Sequence, residues 1–111
     1  MAVLETEIEK RTNPAGGTGT ITLEHFYPNR QFGGEGATFA KVTMPPGAGI
    51  GYHQHVGNGE IYHFLEGRGI YNDNGTEIPV TPGMTTYCPD GEYHGVKNDG
   101  DTDLVFVAQI K

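Results

Sequence analysis

The amino-acid sequence predicts an all-β fold, a sandwich or barrel of about eight or more antiparallel strands. Turn-forming pairs rich in Gly, Pro and Asn recur at short intervals, and between them lie short runs rich in β-branched and aromatic residues. No stretch keeps a helical periodicity, and the 18 glycines and 7 prolines would interrupt most helices. Many short strands without helices form a sandwich or a barrel, with the double-sheet jelly roll among the options.

The runs between the turns predict eight strands. In chain order they are Thr20–Phe26, Thr38–Met44, Ile61–Leu65, Gly69–Asn72, Ile78–Val80, Thr85–Cys88, His94–Asn98 and Leu104–Ile110. Segment 73–76, Asp-Asn-Gly-Thr, fits a two-residue hairpin loop, because Asn and Gly accept the positive φ angles of a type I′ turn. Strands 69–73 and 76–80 are therefore expected to pair. The alternating segment Leu4–Lys10 fits either a short edge strand or a frayed arm.

The length and charge of the chain narrow the range of functions. Its 111 residues fit one domain, 1–111, and the net charge of −7 disfavours nucleic acid and anionic membranes as partners. No apolar run approaches the ~20 residues of a membrane span, and the N-terminus lacks the apolar core of a signal peptide. The lone cysteine, Cys88, allows no internal disulfide. These features predict a soluble protein of the cytoplasm.

Four side chains have the types and the spacing of a metal site. His53 and His55 are two residues apart, so on an extended strand both imidazoles project to one face. Glu60 follows the turn-forming stretch 56–59, which predicts that the next strand runs back beside the first and adds its carboxylate to the pair. His94 stands at the start of a later strand, and we expect it to reach the site from across the barrel.

The same residues fall within two motifs that resemble those of the cupin superfamily. The first motif spans 47–67, and its fixed positions are filled by Gly47, His53, His55, Glu60 and Gly67. The second motif spans 83–98, and its fixed positions are filled by Gly83, Pro89, Gly91, His94 and Asn98. The resemblance implies a jelly-roll barrel, also called a double-stranded β-helix, closed around a metal-lined pocket. The motif glycines are expected to form tight corners with positive φ.

Three imidazoles and a carboxylate form a nitrogen and oxygen shell for one divalent transition metal per chain. This ligand set suits Fe, Mn, Ni, Zn, Co or Cu and does not identify the ion. An ion that prefers more than four ligands leaves positions open for a small anionic or oxygen-chelating molecule. Three uses stay open: a non-haem dioxygenase-type oxidoreductase, which the resemblance implies for this ligand set, a metal-dependent isomerase or lyase, or small-molecule binding without turnover.

Strand alternation predicts which side chains face the pocket. With Glu60 inward, period two leaves Ile61, His63 and Leu65 on the outer face. The predicted pocket lining is Tyr62, Phe64, Tyr87 and Val96. This lining favours a small aromatic or enol-type ligand, and few basic side chains are expected to point inward, so phosphate-bearing substrates are disfavoured. No catalytic residue or general base is assigned. The apolar groups left on outer faces predict a homodimer.

Overall fold

The computed structural model describes residues 3–27 and 36–111, and these form ten strands in two antiparallel sheets. The strands are β1 (Glu7–Thr12), β2 (Thr20–His25), β3 (Thr38–Met44), β4 (Gly49–Gln54), β5 (Glu60–Glu66), β6 (Gly69–Asp73), β7 (Thr76–Val80), β8 (Thr85–Cys88), β9 (Tyr93–Lys97) and β10 (Leu104–Ile110). A short 3-10 turn, Pro14–Gly16, follows β1. The six-stranded sheet has the order β1-β2-β3-β10-β5-β8, and the four-stranded sheet has the order β4-β9-β6-β7.

The inner faces of the two sheets enclose an apolar core. Burial alternates along β5, where Tyr62 and Phe64 are buried and Ile61 is exposed, as the sequence predicted. The Phe106 ring of β10 packs against both, with ring centroids 4.5 Å from Tyr62 and 5.2 Å from Phe64. The all-β jelly-roll fold is confirmed. In the part of the chain that the structure describes, no helix is long and apolar enough to cross a membrane.

The predicted hairpin is confirmed, and two strands are added to those predicted. β6 pairs with β7 in antiparallel register, and the loop residues Asn74 and Gly75 have φ angles of 51° and 97°. The early alternating segment is an edge strand, β1, that pairs with β2. The other added strand is β4, whose glycines lower its apparent strand propensity although it carries His53.

The predicted pairing around the histidines was wrong. β4 does not pair with the strand that follows it; it pairs with β9, and His53 lies directly opposite His94 in that register. β5 pairs with β10 and β8 in the other sheet. The stretch 55–59 therefore carries the chain from one sheet to the other. His94 is the neighbour of His53, and Glu60 is the residue that arrives from across the barrel.

The motif glycines do form the corners of the barrel. Gly47, Gly67, Gly83 and Gly91 have φ angles of 83°, 76°, 93° and 87°, which side chains with a Cβ rarely adopt. At Gly67 the space is also closed, because a Cβ there would overlap the carbonyl oxygen of Asp103. Any other residue at this position would shift the end of β5, the strand that begins with Glu60.

Candidate metal centre

His53, His55, Glu60 and His94 lie together between the two sheets. One ligand atom from each of them lies within 4.8 Å of the ligand atoms of all the others. β4 and its C-terminal extension supply the first two histidines, β9 supplies His94, and the first residue of β5 supplies the carboxylate. His53 is half-buried and the other three are buried, so the site is shielded on most sides. This cluster can hold a metal ion.

Three of these side chains place their donor atoms in a tight triangle. Nε2 of His55 lies 2.9 Å from Nε2 of His94, and Oε1 of Glu60 lies 3.1 Å and 3.0 Å from these two nitrogens. Two ligand atoms bound at about 2.1 Å to one ion, at right angles, are about 3.0 Å apart. The triangle therefore has the size of one face of a coordination shell. The residues present fit a divalent transition metal.

Hydrogen bonds on the far side of each ring orient the histidines. Nδ1 of His53 donates to the carbonyl oxygen of Gly51 at 2.6 Å, and Nδ1 of His55 donates to Oδ1 of Asn58 at 2.6 Å. Both acceptors lack a proton, so each Nδ1 carries a hydrogen, and Nε2 is the nitrogen that faces the site and binds an ion in the neutral ring. His94 is held by its own partner, the Tyr71 hydroxyl, 2.8 Å from Nδ1. These partners set the orientation of all three rings, and in His53 and His55 they place a hydrogen on Nδ1.

The charges of the cluster favour a cation. Burial by itself would raise the pKa of Glu60, but hydrogen bonds from His55 and His94 and their charge outweigh it, so the pKa is lowered. Burial lowers the pKa of His53, which favours the neutral ring that a metal requires. The pKa of His55 is raised, mainly by its hydrogen bond with Glu60. A proton on His55 is consequently the chief competitor of an ion, and acidic pH favours the proton.

Two tyrosine hydroxyls and one cysteine thiol beside the cluster stay protonated near neutral pH. The Tyr62 ring stacks on His94 with centroids 5.0 Å apart, and burial raises the pKa of Tyr62 well above its ordinary value. Burial also raises the pKa of Tyr71 and brings the pKa of Cys88 to about 11. The thiol and the phenols are therefore neutral groups around the cluster. Tyr71 was missed in the sequence, although strand alternation in the β6–β7 hairpin could have placed it inward.

A cavity of about 180 Å³ opens beside the cluster, bordered by His53, His55 and Glu60. Of the four predicted lining residues, Tyr62 borders this cavity. Phe64 and Val96 lie in the packed core instead, 0% and 3% exposed. Tyr87 was placed wrongly: it is 60% exposed on the outer face, because its neighbour Cys88 takes the inward position of β8.

The cavity also has a cationic residue that the sequence did not reveal. Arg11, from the edge strand β1, borders the cavity together with the candidate ligands. The expectation that few basic side chains point inward overlooked it, because Arg11 lies just beyond the segment Leu4–Lys10 that was considered as a possible edge strand, whereas β1 extends to Thr12. The 3-10 turn after β1 packs against β4, and a Cβ on Gly51 would overlap the carbonyl oxygen of Ala15. This close approach brings the N-terminal segment to the rim of the site.

Comparison with known proteins identifies the family. The family model of the cupin domain matches residues 40–110. The chain belongs to the cupin family. An oxalate-binding protein of Thermotoga maritima is 37% identical over 112 residues, covering 99% of this chain and 93% of the relative. An uncharacterized protein of Methanocaldococcus jannaschii is 31% identical over 104 residues, covering 94% of this cupin and 82% of the relative.

A solved structure agrees with this assignment. The crystal structure of a predicted oxalate decarboxylase from Thermotoga maritima superimposes with a TM-score of 0.88 at 36% sequence identity. The match covers 99% of this cupin and 97% of that chain. The likeness therefore extends over the whole barrel, including the first strand with Arg11.

Proposed function

We propose that this cupin binds one divalent transition metal through His53, His55, Glu60 and His94, and with it oxalate or a closely related small dicarboxylate. The observation that carries the proposal is the triangle of donor atoms beside a small cavity. A bound divalent ion supplies positive charge and open positions that favour a chelating pair of oxygens. The name of the oxalate-binding relative supports the choice of ligand.

The charge and the size of the site support a small dianion. Three neutral imidazoles and one carboxylate leave a divalent ion with a net charge of +1, which attracts anions although the protein carries a net charge of −7. Pockets for drug-sized ligands have volumes of about 300–1,000 Å³. The cavity here has about 180 Å³. This volume favours a dicarboxylate of a few atoms over the aromatic ligand expected from the sequence.

The cavity lining favours binding without turnover. A lyase or isomerase requires a side chain that gives or takes a proton. Apart from the four candidate ligands, the ionisable residues of the described lining are Arg11 and Tyr62. Burial raises the pKa of Tyr62, so its phenol stays protonated and is not a general base, and a guanidinium does not release its proton. No residue that the structure describes favours the dioxygenase hypothesis over ligand binding without turnover. Oxidoreductase activity therefore stays a prediction.

Calorimetric titration tests the proposal directly. The protein is reconstituted in turn with Mn, Fe, Co, Ni, Cu and Zn. We expect oxalate to bind at least one of these metal-loaded forms and not to bind the protein after EDTA treatment. Oxalate recovered after long incubation is expected to be intact, with no formate produced. Absence of binding with all six metals would contradict the proposed ligand, and steady formate release would replace a binding protein with a decarboxylase.

We also propose that the cupin forms a homodimer through the outer face of the six-stranded sheet. Ile61, Leu65 and Phe39 are 42%, 43% and 38% exposed there. We expect light scattering to give twice the mass of one chain and Ile61→Glu combined with Leu65→Glu to halve it. A monomer of the wild-type protein at all concentrations would contradict this assembly. The cytoplasmic location expected from the sequence also stays a prediction.

A further inference from the structure

The inner side of β1 carries charged residues where a barrel strand ordinarily carries apolar ones. In the register of β1 with β2, Arg11 lies opposite Ile21 and Glu9 lies opposite Leu23. Ile21 and Leu23 are buried in the core, so their partners on β1 share the inner face. Arg11 extends from this face to the cavity beside the candidate metal ligands. A positive charge thus borders the same small volume as the metal cluster.

The guanidinium of Arg11 is held in place by a carboxylate. Its Nε donates to Oε2 of Glu9 at 2.9 Å, and its Nη2 donates to Oε1 at 3.0 Å. Nε2 of His25 lies 2.7 Å from the same Oε1, and the His25 ring is 1% exposed. A guanidinium has five N–H groups, and two of them serve Glu9. The remaining edge, made of Nη1 and Nη2, is left for another acceptor, while Glu9 limits how the group can turn.

Packing does not account for this arrangement. The side chains of Arg11 and Glu9 are 40% and 30% exposed, so neither contributes to the apolar core. The backbone pairing of β1 with β2 would be the same with other side chains at these positions. Inward-pointing charges can keep an edge strand from pairing with another molecule. That role requires charge on the strand, but it does not require a guanidinium held by the Glu9 carboxylate at the rim of the metal cavity. The precise placement points instead to recognition of an anion.

We propose that Arg11 determines specificity by binding the outer carboxylate oxygens of the ligand, so that the site prefers small dicarboxylates to monocarboxylates. The inference rests on the proposed function and deepens it. Oxalate that chelates an ion through one oxygen of each carboxylate directs its other two oxygens away from the ion. A planar guanidinium edge offers two parallel donors to such a pair, which a lysine cannot match. Acetate has no second carboxylate for Arg11 to contact.

The test compares oxalate and acetate binding to metal-loaded wild-type, Arg11→Met and Arg11→Lys proteins by calorimetry. Loss of charge-assisted hydrogen bonds is expected to weaken oxalate binding about 10- to 100-fold in Arg11→Met and less in Arg11→Lys. Acetate binding is expected to change little, so the preference for oxalate falls. Metal content is expected to stay unchanged. Lys10→Met is the matched control. It removes the same charge as Arg11→Met, and Lys10 is an exposed residue next to Arg11.

The outcomes separate the inference from the proposed function. If the wild-type protein prefers oxalate and Arg11→Met keeps that preference, or if Lys10→Met loses it equally, the inference is overturned and the ligand stands. If the wild-type protein fails to bind oxalate with every one of the six metals, the proposed function fails before any variant is compared. Arg11→Lys keeps the charge and the aliphatic stem, so it decides the question if Arg11→Met proves unstable. Unfolding temperature and metal content of every variant are measured alongside.

Discussion

Replacing His94 with alanine is expected to remove most of the bound metal. Nε2 of His94 lies 2.9 Å from Nε2 of His55 and 3.0 Å from Oε1 of Glu60, so the change deletes one corner of the donor triangle. Loss of a residue that only orients a ligand weakens metal affinity about 10- to 100-fold, and loss of a ligand itself is expected to exceed this. Elemental analysis after reconstitution and dialysis measures the effect. His53→Ala, His55→Ala and Glu60→Ala are expected to act in the same direction.

His63→Ala is the control for this experiment. His63 lies on the exposed face of β5, where its Nδ1 is 2.8 Å from the Thr85 hydroxyl, and its loss should leave the metal content unchanged. The circular dichroism of His94→Ala, and of the wild-type protein in EDTA, is expected to keep its β-sheet signal, because the aromatic core packs without the ion. Full metal content in His94→Ala, or a wild-type protein that takes up none of the six ions, would contradict the assignment.

Replacing Phe106 with alanine is expected to lower the free energy of unfolding by about 3–5 kcal/mol. Phe106 is 0% exposed, and its ring contacts the rings of Tyr62 and Phe64. Alanine would leave a void that both neighbours, each fixed on β5, cannot fill. Phe106 also borders the metal cavity, so the void would join it. Equilibrium unfolding in urea measures the change.

Phe39→Ala is the control, because it makes the same substitution as Phe106→Ala at an exposed position. Phe39 is 38% exposed on the outer face of β3, where it contacts the Phe26 ring. We expect it to lower the free energy of unfolding by roughly 1 kcal/mol or less in the monomer. Equal losses for the two variants would show that the two sheets are not packed as described.

The sequence was sufficient where short-range rules apply. Alternation along β5 separated Glu60, Tyr62 and Phe64 from the exposed residues between them, because the side-chain period of a strand does not depend on its partners. Turn chemistry located the hairpin at Asn74 and Gly75 for the same reason. The four candidate ligands could be grouped because their spacing matches a family pattern. Such a pattern reflects which residues the folded barrel brings together, so the strand pairing did not have to be predicted first.

Pairing between distant strands lay beyond these rules. Nothing in the run from His53 to Glu60 shows whether the chain turns back within one sheet or crosses to the other, since both courses need the same flexible residues. The choice depends on β9 and β10, which come later in the chain. Arg11 was missed for a related reason: its side chain reaches the cavity only because β1 pairs with β2 and the following turn packs on β4.

The division of the ligands between the sheets has a consequence for how the barrel moves. His53 and His94 belong to the four-stranded sheet, whereas Glu60 belongs to the six-stranded one. An ion held by all of them would link the two sheets through coordinate bonds, in addition to the packing and the loops that join them. The layers could not then separate without rupture of a coordinate bond. A bound ion is therefore expected to slow any opening of the barrel between its two sheets.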